Sequence, residues 1–184
     1  KQVRFVLKYD GARFHSVLFH SACLSQMVEG AVSMSTDDEF TIPLDPSQFS
    51  TNKEKRVYPK TAELTLSYVI QYLELVREET IAKKSKKDDK AEKKTMKPLI
   101  STNLVENGFS QKEADWIDKV YSTKRPDGSP IGKRTLFNLI LAANYMAILP
   151  LVELCAAKIA ASVKGQGLEN YQNLLTPEPY TEDD

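Results

Sequence analysis

The sequence predicts an α/β fold, with a few short strands near the start of the chain and helices from there to its end. Three observations predict it. Val3, Phe5, Leu7 and Tyr9 alternate with Arg4, Val6 and Lys8 and run into Asp10-Gly11, the pattern of a half-buried strand entering a tight turn. Leu66, Val69, Ile70 and Leu73 recur at three- and four-residue intervals, which gathers them on one helical face. Leu136 to Met146 is apolar nearly all round, so it reads as a central buried helix.

The elements follow in order. After Asp10-Gly11 the chain returns as a strand from about Ala12 to Leu18. Ser21 caps a short helix carrying Leu24, Met27 and Val28 on one side. Phe40 to Leu44 reads as a third short strand, ended by Asp45-Pro46-Ser47. Gln48 to Lys60 is polar and loop-like, and helical order returns from Ala62 to about Arg77. Lys83 to Lys97 is dense in charge and reads as a solvated loop or a fraying extension of that helix. Ser110 starts another helix through Trp116 and Val120, and Lys124 to Gly132 is a long turn region holding Pro-Asp-Gly. Thr135 is placed to cap the apolar helix. Pro150 marks the first turn of the next helix, because it lacks an amide proton and restricts Leu149. That helix stops at Gly165. A weak one covers Leu168 to Leu175 and ends at Thr176-Pro177, before an acidic tail.

Composition narrows the function classes. Lys plus Arg is 25 and Asp plus Glu is 25, so the chain lacks the positive excess of a protein that wraps nucleic acid over a large surface. Cys23 and Cys155 stand far apart without ligand-like spacing, which suits reduced core residues and a reducing compartment, cytoplasmic and/or nuclear. The longest apolar stretch, Leu136 to Leu151, is too short to cross a bilayer, so no membrane role is expected. No secretory apolar segment stands near Lys1. The chain starts at Lys and not Met, so a targeting segment upstream stays open.

No constellation for catalysis emerges. His15 and His20 do not share a helical face and no Cys or carboxylate cluster completes a metal set, so neither metal nor cofactor is expected. Both cysteines sit in apolar helical stretches, where a thiol behaves as a small hydrophobe. Gly128, Gly132, Gly165 and Gly167 lack the spacing of a phosphate-cradling loop. The lysine run, with Lys83, Lys84, Lys86, Lys87, Lys93 and Lys94, either keeps a loop solvated or offers a patch to an acidic surface or nucleic acid. It has no interleaved aromatics for base stacking. Leu151, Leu154, Cys155 and Ile159 form an apolar stripe wider than a small domain needs, the pattern of a partner-binding helix.

Thr135-Leu136-Phe137-Asn138-Leu139-Ile140-Leu141-Ala142-Ala143-Asn144-Tyr145-Met146 strongly resembles a helix of the Skp (S-phase-kinase-associated) adaptors, where Leu-Ala-Ala-Asn-Tyr-Leu recurs. The similarity continues through Leu151-Val152-Glu153-Leu154, Ile159-Ala160 and Val163-Lys164-Gly165. Upstream, Tyr9-Asp10-Gly11 with Phe14, Ser21 to Glu29, Ile42-Pro43-Leu44 and Val69-Ile70-Gln71-Tyr72 are similar to the family's first hairpin, first helix, third strand and following helix. Elongin-C is a shorter relative without the helices after Met146.

The resemblance implies a BTB/POZ-like domain, a small three-stranded sheet with helices, over 1–149, followed by a C-terminal helical F-box-binding extension and acidic tail over 150–184. It implies a non-catalytic adaptor that bridges a cullin and an F-box protein in an SCF-type ubiquitin ligase. Asn144 and Tyr145 become candidate cullin contacts. Leu151, Leu154, Cys155, Ile159 and Val163 become candidate F-box contacts. Against the family's pattern the chain carries insertions at about 46–60 and 79–110, the second lysine-rich where many relatives are acidic. Gly167-Leu168-Glu169-Asn170 replaces a Thr-Pro-Glu-Glu helix start, and losing the Thr cap weakens that helix by roughly 1 kcal/mol. The insertions and the lysine run motivate an alternative role, a Skp-like structural subunit of a large ribonucleoprotein or cytoskeletal assembly without a ligase role.

Overall fold

Alternation at the start of the chain becomes strand β1, Gln2–Leu7, in a computed structural model that describes residues 2–7, 13–17, 39–49, 58–85 and 99–181. Strand β2, Arg13–Val17, pairs antiparallel with β1, and β3, Glu39–Leu44, pairs parallel with its other edge. The sheet order is therefore β2-β1-β3, with β1 central. Phe5 and Leu7 are fully buried, and Val6 is also buried, so at this end β1 is covered more fully than simple alternation implies. Pro43 stands exposed in β3, an edge strand of this sheet, where proline is tolerated. The turn at Asp10-Gly11, the helix expected from Ser21, and Lys86, Lys87, Lys93 and Lys94 lie outside the described residues.

Of the polar loop expected over Gln48 to Lys60, residues 50–57 lie outside the described residues, and Gln48 and Phe49 are helical instead. Pro46–Phe49 is a turn of 3-10 helix that buries Pro46 and Phe49. Helix α1 then spans Pro59–Ser85, starting and ending beyond the expected bounds. Pro59 supplies a preset φ and no amide to be left unpaired in the first turn. Ala62, Leu66, Val69, Tyr72 and Leu73 form its buried face at helical spacing. Lys83 and Lys84 lie on its last turns, so the charge-dense segment begins as helix.

Residues 99–110 were read as the end of an insertion, yet they are tied into the fold. Leu104 is buried, and the Asn107 side chain accepts from Ile100 N at 2.7 Å and donates to the carbonyls of Ser101 and Asn103. Lys164 closes the segment from the other side, donating to the carbonyls of Leu99 and Ile100. Helix α2, Gln111–Tyr121, starts at Ser110 as expected. Ser110 Oγ accepts from Glu113 N while the Glu113 carboxylate accepts from Ser110 N, a reciprocal capping box. Ser110 Oγ also donates to Glu79 at 2.6 Å, which fixes α2 to α1.

Helix α3, Gly132–Tyr145, is the central helix and packs against α1, α2, the 3-10 turn and helix α4, Leu149–Val163. Thr135 does not cap it, contrary to expectation. The helix starts three residues earlier, and the Thr135 hydroxyl donates to Ile131 O one turn back. Gly132 permits that earlier start: a Cβ there would lie 1.7 Å from Tyr121 O, so only glycine lets the start of α3 approach the end of α2 so closely. Pro150 sits in the first turn of α4, as expected. Helix α5, Leu168–Leu175, follows without a side-chain cap, consistent with Gly167 at its start, and packs on α4. The whole is an α/β fold dominated by helices.

Candidate functional site

Asn144 and Tyr145 occupy the last turn of α3, and both are exposed. The ordinary alternative for such a pair inside an apolar helix is a buried Asn and Tyr satisfying hydrogen bonds in a helix core, and the structure does not place them so. Tyr145 leans edge-on toward buried Phe49 of the 3-10 turn, with ring centroids 6.3 Å apart and planes at 71°. Leu141, one turn earlier on α3, and Leu149, at the start of α4, are also exposed, the latter at 55%. A polar Asn and a half-open Tyr between two exposed leucines make an amphipathic corner.

The backbone that shapes this corner is tightly specified. Ala147 N donates to Asn144 O at 3.1 Å and Ile148 N to Ala143 O at 2.8 Å, the paired bonds of a Schellman helix end. The residue that must turn left-handed there is Ala147, with φ 53°, where glycine is the usual occupant. Ile148 is fully buried and anchors the turn. Leu149 and Pro150 therefore leave the corner in a set direction, and α4 folds back along α3.

The candidate stripe on α4 is divided by that packing. Leu151, Leu154 and Cys155 are fully buried and belong to the core shared with α3, so they hold the fold and present nothing to a partner in this arrangement. The three residues expected as direct contacts are core residues in this arrangement. Ile159 and Val163, further along α4, keep partial exposure, and Leu175 at the end of α5 is exposed at 45%. Burial pushes the Cys155 thiol well above its ordinary pKa, so it stays protonated and inert.

A second feature escaped the sequence reading altogether. After α5 the chain doubles back over the start of α3. The Glu178 carboxylate accepts from Arg134 N at 2.7 Å, taking the place of the missing side-chain cap on α3. Pro179 O accepts from Arg125 Nη2 at 2.7 Å and from Arg134 Nη1 at 2.8 Å. The Tyr180 ring stacks on Tyr58 at 4.2 Å and lies under the Arg134 guanidinium at 4.5 Å, and its hydroxyl donates to Asn138 Oδ1 at 3.1 Å. Arg134, only 2% exposed, is thereby a buried cation with its charge met by carbonyl and ring. Beside this strap lies a cleft of about 620 Å³ whose lining includes Lys60, Lys124, Arg125 and Arg134. The only signal in the sequence was the Glu-Pro-Tyr tripeptide, which has no local period to mark it.

A third cluster joins α1 and α2. Tyr72 is buried against Trp116, with centroids 5.5 Å apart, and its hydroxyl points to Glu113 Oε1 at 3.4 Å. Burial first, and the Glu113 charge second, push the Tyr72 pKa up, so it is a structural phenol and not an acid at neutral pH. Among the described residues no group of three His, Cys, Asp or Glu side chains is arranged to hold a metal ion, and no helix is long and apolar enough to cross a membrane.

Comparison with known proteins returned no matching family model, no matching curated protein and no matching solved structure.

Proposed function

We propose that the chain is a non-catalytic adaptor of the Skp type, joining a cullin scaffold to an F-box protein through two surfaces on a BTB/POZ-like fold. The observation that carries this reading is the position of Asn144 and Tyr145. The two residues that the resemblance marks as cullin contacts stand together at solvent, on a corner flanked by exposed Leu141 and Leu149. Supporting it are the sheet order with its parallel β1–β3 pair and the run of helices after it. The F-box surface on this reading is the outer part of α4 with α5, centred on Ile159, Val163 and Leu175.

The test is affinity purification of the tagged chain from its native cell, with mass spectrometry of what is retained. A cullin, a RING subunit and F-box proteins are expected. Tyr145→Ala should lose the cullin and keep the F-box proteins, and Ile159→Asp should do the reverse. A fixed set of structural proteins without cullin would overturn the ligase reading in favour of a structural subunit that kept the fold.

A further inference from the structure

Glu178, Pro179 and Tyr180 sit on the start of α3 as a bound peptide sits on a receptor. The three residues belong to no helix or strand, and each is held by different groups. The Glu178 carboxylate accepts from the Arg134 amide at 2.7 Å, where a helix start favours an anion. The Pro179 carbonyl accepts from Arg125 at 2.7 Å and from Arg134 at 2.8 Å. The Tyr180 ring lies nearly parallel to Tyr58, with planes at 14° and centroids 4.2 Å apart. Its hydroxyl reaches Asn138 Oδ1 at 3.1 Å.

The receiving residues stand more than forty positions away in the chain. Arg134 and Asn138 are one turn apart on α3 and so share a face. Arg125 is also held within its own turn, by Ser129 Oγ at 3.2 Å. The strap, by contrast, is joined to α5 only through Thr176 and Pro177. Its fit is incomplete. Asn138 Nδ2 is buried without a hydrogen-bond partner, although Tyr180 meets the oxygen of the same amide.

We infer that this surface is a docking site for a short segment of a partner protein, which the chain's own strap fills in cis. The segment it takes is acidic and aromatic, with a carboxylate two residues before an aromatic side chain, as Glu178 stands before Tyr180. A tether this short holds the strap at an effective concentration on the order of 1 mM. A separate segment of equal intrinsic affinity therefore loses to it at micromolar concentration. One that also brings an acceptor to the Asn138 amide narrows that gap by about tenfold or more. The strap is thus an autoinhibitory contact that keeps weaker segments out. This inference does not rest on the adaptor reading.

The experiment follows the fluorescence anisotropy of a labelled peptide of residues 175–181, Leu-Thr-Pro-Glu-Pro-Tyr-Thr, against the full chain. Wild type is compared with Glu178→Ala/Tyr180→Ala, which loosens the strap and leaves every receiving residue in place. The peptide should bind the variant at least about tenfold more tightly than wild type. That gain should disappear when the Glu and Tyr of the peptide are themselves replaced by Ala. Trp116 emission checks that the variant is folded. If it is not, Tyr180→Ala alone keeps the Glu178 contact with α3 and takes its place. Equal binding to wild type and variant overturns the docking site, as does no binding to the variant at millimolar peptide. Dimers of wild type that the variant does not form would give the site to a second copy and overturn the partner.

Discussion

Leu154→Ala separates the protein's own core from its partner surface. Leu154 is fully buried and packs in the cluster that joins α3 to α4. Truncation removes three carbons, and at about 0.8 kcal/mol per buried methylene the transfer loss alone is roughly 2.4 kcal/mol. The cavity left behind adds to this, so the expected cost is about 3 kcal/mol within a range of about 2–5. For a chain of this size each kcal/mol moves Tm by about 2–4 °C, which gives a fall of about 6–12 °C. The assay is urea unfolding followed by the fluorescence of Trp116, the one tryptophan, which reports from the aromatic cluster with Tyr68 and Tyr72. The midpoint should fall with an unchanged slope, because the same surface is exposed on unfolding. Ile159→Ala, at a half-buried position, should cost less than half as much. A Leu154→Ala cost below about 1 kcal/mol would refute the reasoning and return the side chain to the partner surface.

The other predictions use the same kinds of measurement. Gly132→Ala should destabilise by about 3 kcal/mol or more, because its Cβ meets a backbone oxygen that cannot move away; an ordinary replacement at a helix start would instead be neutral or stabilising. Ala147→Gly should stabilise by about 0.5–1 kcal/mol in urea unfolding, since relief of a left-handed alanine exceeds the added freedom of glycine in the unfolded chain. In a Cys23→Ser background, Cys155 should resist a thiol reagent at pH 8 and react at once in denaturant. Its raised pKa keeps it protonated and burial keeps the reagent out, so prompt labelling of the native chain would show the core to be open at α4.

What could be read directly from the sequence was local. The alternation at Val3 to Leu7, the helical spacing on α1, the helix start at Ser110, and Pro150 in the first turn of α4 each depend on residues within one or two turns of each other. Backbone geometry fixes such spacings wherever the segment lies. The side chains that matter for a partner depended on distant chain. Thr135 has a capping residue's chemistry, but the close approach of Gly132 to Tyr121 lets the helix start earlier and turns the hydroxyl back on Ile131. Leu151, Leu154 and Cys155 form a stripe that looks the same in sequence whether it faces a partner or a neighbouring helix. The Schellman turn at Ala147, which folds α4 back on α3, decides that it faces inward. Asn144 and Tyr145, on the same apolar helix, are left at the surface because that helix ends beside them. Arg134 is buried because a strap from more than forty residues away supplies its acceptors. Periodicity determines which face of an element is apolar; only packing between elements decides whether that face is spent on the core or left for another molecule.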